Sequence, residues 1–340
     1  MDRPFISLLL LLMLPLTLWG CGSRAVIQAP GPGAPAASLE SFWVTASDGY
    51  RLPLTHWTTE GHQRAVVLAV HGFNDHGGSF EILANALTDH GIEVYAYDQR
   101  GFGTTAQRRL WPGDERLSKD VDTIARLLRE RYPETPLYLV GKSMGAAVVL
   151  LTMADDDPPP VDGSVLISPA VWGQSTMPWY QRMGLWLSVR LYPSYTFSAR
   201  LTQRLGIEPT DDPEIKRRLA EDPLILRSAR VDTLYGLTMM MDKALQAASQ
   251  LPGPALILYG EEDQIIPRKA ICDMLERLPN ADTTPWRMAL YPAGYHMLTR
   301  YTQRHLTHDD IAAWLLDPMA PLPSGDEVSV NDAKRILCGS

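Results

Sequence analysis

The chain has 340 residues, 39 acidic against 31 basic side chains and a formal charge of −8, with 45% apolar and 21% charged residues. That is enough length for one large α/β domain, or two smaller ones, around a sizeable core. No basic block interrupts the acidic balance, which argues against a nucleic-acid partner and leaves small-molecule or lipid chemistry.

Residues 1–20 do not read as part of the fold. Arg3 supplies a basic start, and "FISLLLLLMLPLTLW" is an apolar run too short to span a bilayer comfortably, so the segment is read as an export signal peptide. The following "LWGC", ending at Cys21, resembles the lipobox of bacterial lipoproteins, although Trp19 is bulkier than that pattern usually has. The expectation is an exported protein whose lipidated Cys21 anchors it to a bacterial membrane, on the periplasmic side of the outer membrane. The other reading of Cys21 is a free or buried thiol beside an ordinary cleavage site. Residues 22–38, rich in Pro, Gly and Ala, read as a flexible tether able to reach roughly 20 to 25 Å.

"SFWVTASDGYRLPLTHW" predicts a hairpin turning at Asp48-Gly49. The rhythm then changes. "AVVLAV" (65–70), "EVYAYD" (93–98), "LYLVG" (137–141), "VLIS" (165–168), "ALILYG" (255–260) and "MALYP" (288–292) are short continuous apolar runs, expected of strands buried on both faces. Helical patterns such as "SFEILANALTDHG" and "LSKDVDTIARLLRERYP" separate several of them, which implies a mostly parallel sheet covered by helices on both sides. The core is expected over 39–169 and 252–318. Residues 170–251 break the alternation with stretches rich in Trp, Tyr, Met and Leu; they predict an inserted helical cap, with a helix pair that merely completes the core as the plainer reading. Residues 319–340 read as a weakly ordered C-terminal tail. Cys272 and Cys338 could pair in an oxidising compartment, but sequence does not give their separation.

"LVGKSMGAAVVLL" places Gly-x-Ser-x-Gly between a strand and a helix, an elbow that would present the Ser143 hydroxyl at the top of the sheet. Gly141 and Gly145 suit such a turn, where helix and strand come close; a serine that only capped the helix would need neither. A serine hydroxyl is a poor nucleophile without a base and a group that orients the base. Of the eight histidines, His296 in "YPAGYHML" follows the last core strand directly, where such a base must come from. The acid is expected at another strand end, where "LILYGEEDQIIP" offers Glu261, Glu262 and Asp263; the order Ser143, Asp263, His296 selects Asp263. The backbone N–H groups of Phe73 and Met144 are the expected oxyanion donors, with His71 in a structural role beside them.

Together, "AVHGFNDHGGSFEILANALTDHGIEVYAYDQRGFGTT", "LVGKSMGAAVVLL", "YGEEDQIIP" and "GYHML" resemble the serine α/β-hydrolases of the monoacylglycerol lipase and lysophospholipase type, over about residues 40–318. The resemblance implies an α/β-hydrolase fold and hydrolysis of a lipid-like or other small ester under the cap, without metal or organic cofactor. Lys142 stands where that family often has His, and Ala146 where it often has Gly. Asp98 and Arg100, in the Asp-x-Arg-Gly-x-Gly turn, are expected to form a structural pair. A thioesterase, peptidase or acyltransferase of the same fold, or a non-catalytic lipid- or partner-binding lipoprotein, stays open.

Overall fold

The computed structural model describes residues 25–33, 36–198 and 206–339. The expected signal peptide and Cys21 lie outside the described residues. Among those described, no helix is long and apolar enough to cross a membrane.

The strands of the main sheet are β1 (Ser38–Leu39), β2 (Trp43–Thr45), β3 (Arg51–Trp57), β4 (Ala65–Val70), β5 (Ile92–Tyr97), β6 (Leu137–Lys142) and β7 (Gly163–Ile167), with β10 (Ala255–Gly260), β11 (Trp286–Tyr291) and β12 (Glu327–Val328) later in the chain. Their spatial order is β1-β2-β3-β5-β4-β6-β7-β10-β11-β12. The six strands from β5 to β11 in that order pair in parallel, and β1, β2, β3 and β12 add antiparallel edges. Every residue of β4, β6, β7 and β10 is buried, because helices cover both faces of the sheet. The fold is a mostly parallel α/β sheet flanked by helices.

The core helices are α1 (Glu81–Thr88), α2 (Asp114–Arg131) and α3 (Met144–Met153), the last buried almost all round. The insertion contributes α4 (Trp179–Leu191), β8 (Thr196–Ser198), α5 (Pro213–Glu221), β9 (Ser228–Arg230) and α6 (Val231–Ala247), with β8 and β9 paired antiparallel. Its two long helices differ in burial. Helix α6 buries Met240, Met241, Ala244 and Leu245 in the main core, completing it. Helix α4 buries nothing: Trp179, Tyr180, Met183 and Trp186 are all exposed. The chain continues through α7 (Arg268–Leu275), α8 (Arg304–Leu316) and α9 (Val330–Cys338).

Two expectations at the ends are corrected. Residues 25–33 are not free tether: Gln28 is buried, its side-chain amide donates to the Tyr50 hydroxyl and to the Ala106 carbonyl (both 3.0 Å), and its N–H donates to the Trp111 carbonyl at 2.8 Å. A few hydrogen bonds into an already rigid wall are enough to order so short a stretch. Nor is the C-terminal stretch loose. Strand β12 pairs with β11, Ser329 caps α9 by accepting from the Asp332 N–H, Ala333 and Leu337 are buried, and Cys338 is disulfide-bonded to Cys272 of α7.

Asp98 and Arg100 are both structural, but they are not a pair. Asp98 accepts from the backbone N–H groups of Gly77 and Thr104 and from the Thr104 hydroxyl. Arg100, 2% exposed, makes paired bonds of 2.6 to 2.7 Å to Asp48 in the hairpin turn and to Asp120 of α2. One guanidinium thus ties the first hairpin to a core helix, and its hydrogen bonds hold the Asp48 carboxyl well below the usual carboxylate range.

Candidate active site

Strand β6 ends at Lys142 and α3 begins at Met144, so the chain reverses within Ser143. Its backbone takes φ 52° and ψ −119°, a conformation rare for a residue with a side chain and found where surrounding structure enforces it. Ser143 stands at the N-cap of α3, yet its side chain makes no capping bond. Its Oγ lies instead 3.0 Å from His296 Nε2. The packing that enforces the turn is visible at Gly141, where a Cβ would sit 2.6 Å from both Ala146 Cα and the Gly145 carbonyl oxygen.

His296 follows β11, and the loops after β10 and β11 are stitched together by a bond from the Glu262 N–H to the Gly294 carbonyl. That stitch brings Asp263 to the imidazole: Oδ2 is 2.8 Å from His296 Nδ1. The other carboxylate oxygen accepts from the Ile265 and Ile266 N–H groups at 2.8 and 2.9 Å, fixing the rotamer. The Asp263 side chain is fully buried. Of its neighbours, Glu261 turns to Arg268 and Glu262 is exposed, so neither competes.

The segment after β4 packs against the serine: a Cβ on Gly72 would lie 3.3 Å from Ser143 Cβ. His71 Nε2 accepts from the Gln99 N–H at 2.9 Å, so the proton is on Nδ1, which donates to the Gly72 carbonyl at 2.8 Å. Burial depresses the His71 pKa to about 4 and keeps the ring neutral, a strut that fixes the Gly72-Phe73 backbone. The Phe73 N–H has no hydrogen-bond partner among the described residues, and the Met144 N–H, at the first helical position, has no intrahelical acceptor.

These groups open onto a cavity of about 670 Å³. The core supplies Phe73, Ser143, Met144 and His296, and residues 170–251 add Phe197, Ile207, Leu234, Leu237 and Met241 to the lining. Beside the serine lies a cluster whose composition sequence reasoning missed. Lys142 Nζ and Arg300 Nη2 both reach Asp75 Oδ2, at 2.7 and 2.6 Å. Burial, reinforced by Arg300, lowers the Lys142 pKa to about 8 against the opposing pull of Asp75. A cation four positions after His296 was the one available signal for Arg300. Nothing local pointed to Asp75 as the partner of both.

With that geometry in hand, comparison with known proteins places the chain. The profile of the Hydrolase_4 family, described as serine aminopeptidase S33, matches residues 61–302, well over half of the chain. The chain belongs to this family. Among its relatives is the monoacylglycerol lipase of Mycolicibacterium smegmatis, 26% identical over 279 residues, which cover 79% of this chain and 94% of that protein. The human monoglyceride lipase is 27% identical over 261 residues, 74% of this chain and 82% of the other. The crystal structure of Paleococcus ferrophilus monoacylglycerol lipase superposes with a TM-score of 0.63 at 25% identity, covering 78% of this chain and 98% of that one. Family and neighbours agree with the sheet described above: the fold is that of the α/β-hydrolases.

Proposed function

We propose that the chain is a serine hydrolase of carboxylic esters, acting on lipid-like substrates such as monoacylglycerols or lysophospholipids. The carrying observation is the continuous hydrogen-bonded relay from Ser143 Oγ to His296 Nε2 (3.0 Å) and from His296 Nδ1 to Asp263 Oδ2 (2.8 Å). In this reading Ser143 attacks the ester carbonyl while His296 takes its proton; the new carbon–oxygen bond makes a tetrahedral intermediate whose oxyanion meets the Phe73 and Met144 N–H groups. Collapse breaks the bond to the alcohol, which leaves with the proton from His296, and water repeats the cycle to free the acid. Asp263 orients the imidazole and stabilises its charged form. The apolar side chains over the cavity suit an acyl chain, and the relatives named as monoacylglycerol lipases support that class.

A peptidase reading takes support from the family's description, but an aminopeptidase must hold a terminal ammonium. Among the described lining residues the one carboxylate is Asp75, already engaged by two cations. The test is a fluorophosphonate probe followed by mapping of the modified peptide, with a panel of monoacylglycerols, lysophospholipids and aminoacyl amides of graded length. Labelling at Ser143 with ester turnover is expected. Turnover of the amides alone, or no label at Ser143, would refute the ester reading.

The reading includes export and anchorage through Cys21. The Cys272–Cys338 disulfide supports an oxidising compartment. Expressed in a bacterial host, the full chain is expected to incorporate labelled palmitate and sediment with membranes, and Cys21→Ser to lose the label and become soluble. A variant that kept the label would place the lipid elsewhere.

A further inference from the structure

The cavity has an apolar wall and a charged end. Apart from His296, its charged lining among the described residues is Asp75, Lys142 and Arg300, one anion against two cations. All three are more than nine-tenths buried, with exposures of 4%, 8% and 7%. Both cations reach the same oxygen of Asp75. The cluster therefore carries one positive charge that no acid among the described lining residues compensates, in a place where an unpaired charge is costly.

The donors are also underused. A guanidinium has five N–H groups. Arg300 donates through Nη2 to Asp75, and its buried Nε has no partner among the described residues. Lys142 Nζ has three, of which Asp75 and the Ser79 hydroxyl (2.8 Å) take two, and the ammonium also stands 4.8 Å from the centroid of the Phe80 ring, so the unused donors are chiefly those of Arg300. Other acids nearby are committed away from the cavity: Asp98 to the Gly77 and Thr104 N–H groups, Asp222 to His76. Neither lines it.

The geometry points to an anion subsite: the charged end receives a phosphate or carboxylate carried by the leaving alcohol of the ester, on Arg300 and Lys142, while the acyl chain follows the apolar wall. An anionic oxygen here completes the unused donors and the charge balance together. A neutral glycerol can supply acceptors but not the charge, so it leaves the buried positive charge unpaired where an anion would pair it. The inference rests on the ester-hydrolase reading for its kinetic consequence, not for its binding consequence.

Three esters with one acyl chain separate the cases, each assayed below its micelle concentration: 1-lauroylglycerol, the lauroyl ester of glyceric acid and 1-lauroylglycerol 3-phosphate. At least one anionic ester is expected to exceed the neutral one in kcat/KM by roughly 10- to 100-fold, and which one exceeds it tells carboxylate from phosphate. Arg300→Gln should drive the anionic-to-neutral ratio towards one, and Arg300→Lys, which keeps the charge and guards against loss of folding, should retain most of it. In calorimetry on the Ser143→Ala protein, dodecyl phosphate or dodecanoate should bind at least tenfold tighter than dodecanol. Equal or better turnover of the neutral ester, or a ratio unmoved by Arg300→Gln, overturns the subsite while Ser143-dependent cleavage of a p-nitrophenyl ester leaves the hydrolase reading standing. If no ester is cleaved, that reading falls and the calorimetry alone decides the subsite: no tighter binding of either anion overturns it.

Discussion

Ser143→Ala is expected to lower kcat on p-nitrophenyl butyrate by roughly a million-fold, while leaving the thermal unfolding midpoint within a few degrees of the parent. The two halves of that result are linked. If Ser143 served mainly as a helix cap, its loss would cost about 1 kcal/mol of stability and leave turnover by the folded protein near the parent's. The side chain makes no capping bond, and the strained backbone at φ 52° is held by its neighbours whether or not the hydroxyl is there. What disappears is one hydrogen bond to His296, worth about 0.5 to 1.5 kcal/mol net. His296→Ala should match the serine variant in severity, Asp263→Ala should be milder at roughly ten-thousand-fold, and the Ser143→Ala/His296→Ala double variant should be no worse than either single, because the groups act as a unit. Ester turnover by Ser143→Ala within tenfold of the parent would remove the serine from the chemistry, and a loss of folding would return it to a structural role.

Much of this arrangement could be read from the chain because its strongest signals are local and repeated. Six continuous apolar runs became six parallel strands since burial on both faces demands such runs wherever helices cover both sides of a sheet. Ser143, Asp263 and His296 could be grouped because each follows directly on one of those strands, and parallel strands deliver their ends to the same edge. Where the reading failed, the cause was long-range pairing between residues with no periodic pattern of their own. Gln28 belongs to a Pro- and Gly-rich stretch that looks like linker, and only its acceptors 22 and 78 residues away give it a place. The C-terminal helix is short and amphipathic, with a Ser-x-x-Asp start at Ser329 that could have been noticed; its docking through β12 and Cys338 could not. Arg100 looked like a partner of Asp98 because they are two residues apart, yet its carboxylates come from 52 and 20 residues away. Lys142 was visible as an oddity, but its meaning depends on Asp75 and Arg300, 67 and 158 residues distant in the chain, arriving at one point.

Gly145→Ala is expected to be the most damaging single methyl addition at the site, destabilising the fold by about 3 kcal/mol or more and leaving little soluble protein. Helix propensity predicts the opposite, since Ala is favoured over Gly within a helix by about 1 kcal/mol. Space decides against it. A Cβ at residue 145 would stand 1.9 Å from the Val70 carbonyl oxygen and 2.5 Å from its carbon, with the His71 oxygen at 2.6 Å. These are backbone atoms at the end of β4, so no side-chain rotation relieves the clash; α3 must move away from the strand, or the strand must bend. Either displacement reaches the chemistry, because β4 runs on through His71 into Gly72-Phe73, and α3 starts at Met144, so the two expected oxyanion amides lie on the two parts forced apart. Any fraction that folds should therefore show kcat reduced by about 100-fold or more with labelling by the fluorophosphonate probe slowed in parallel, the loss expected when an oxyanion donor is misplaced. A Gly145→Ala protein with parental urea midpoint and parental turnover would mean that the close approach of α3 to β4 does not shape the site.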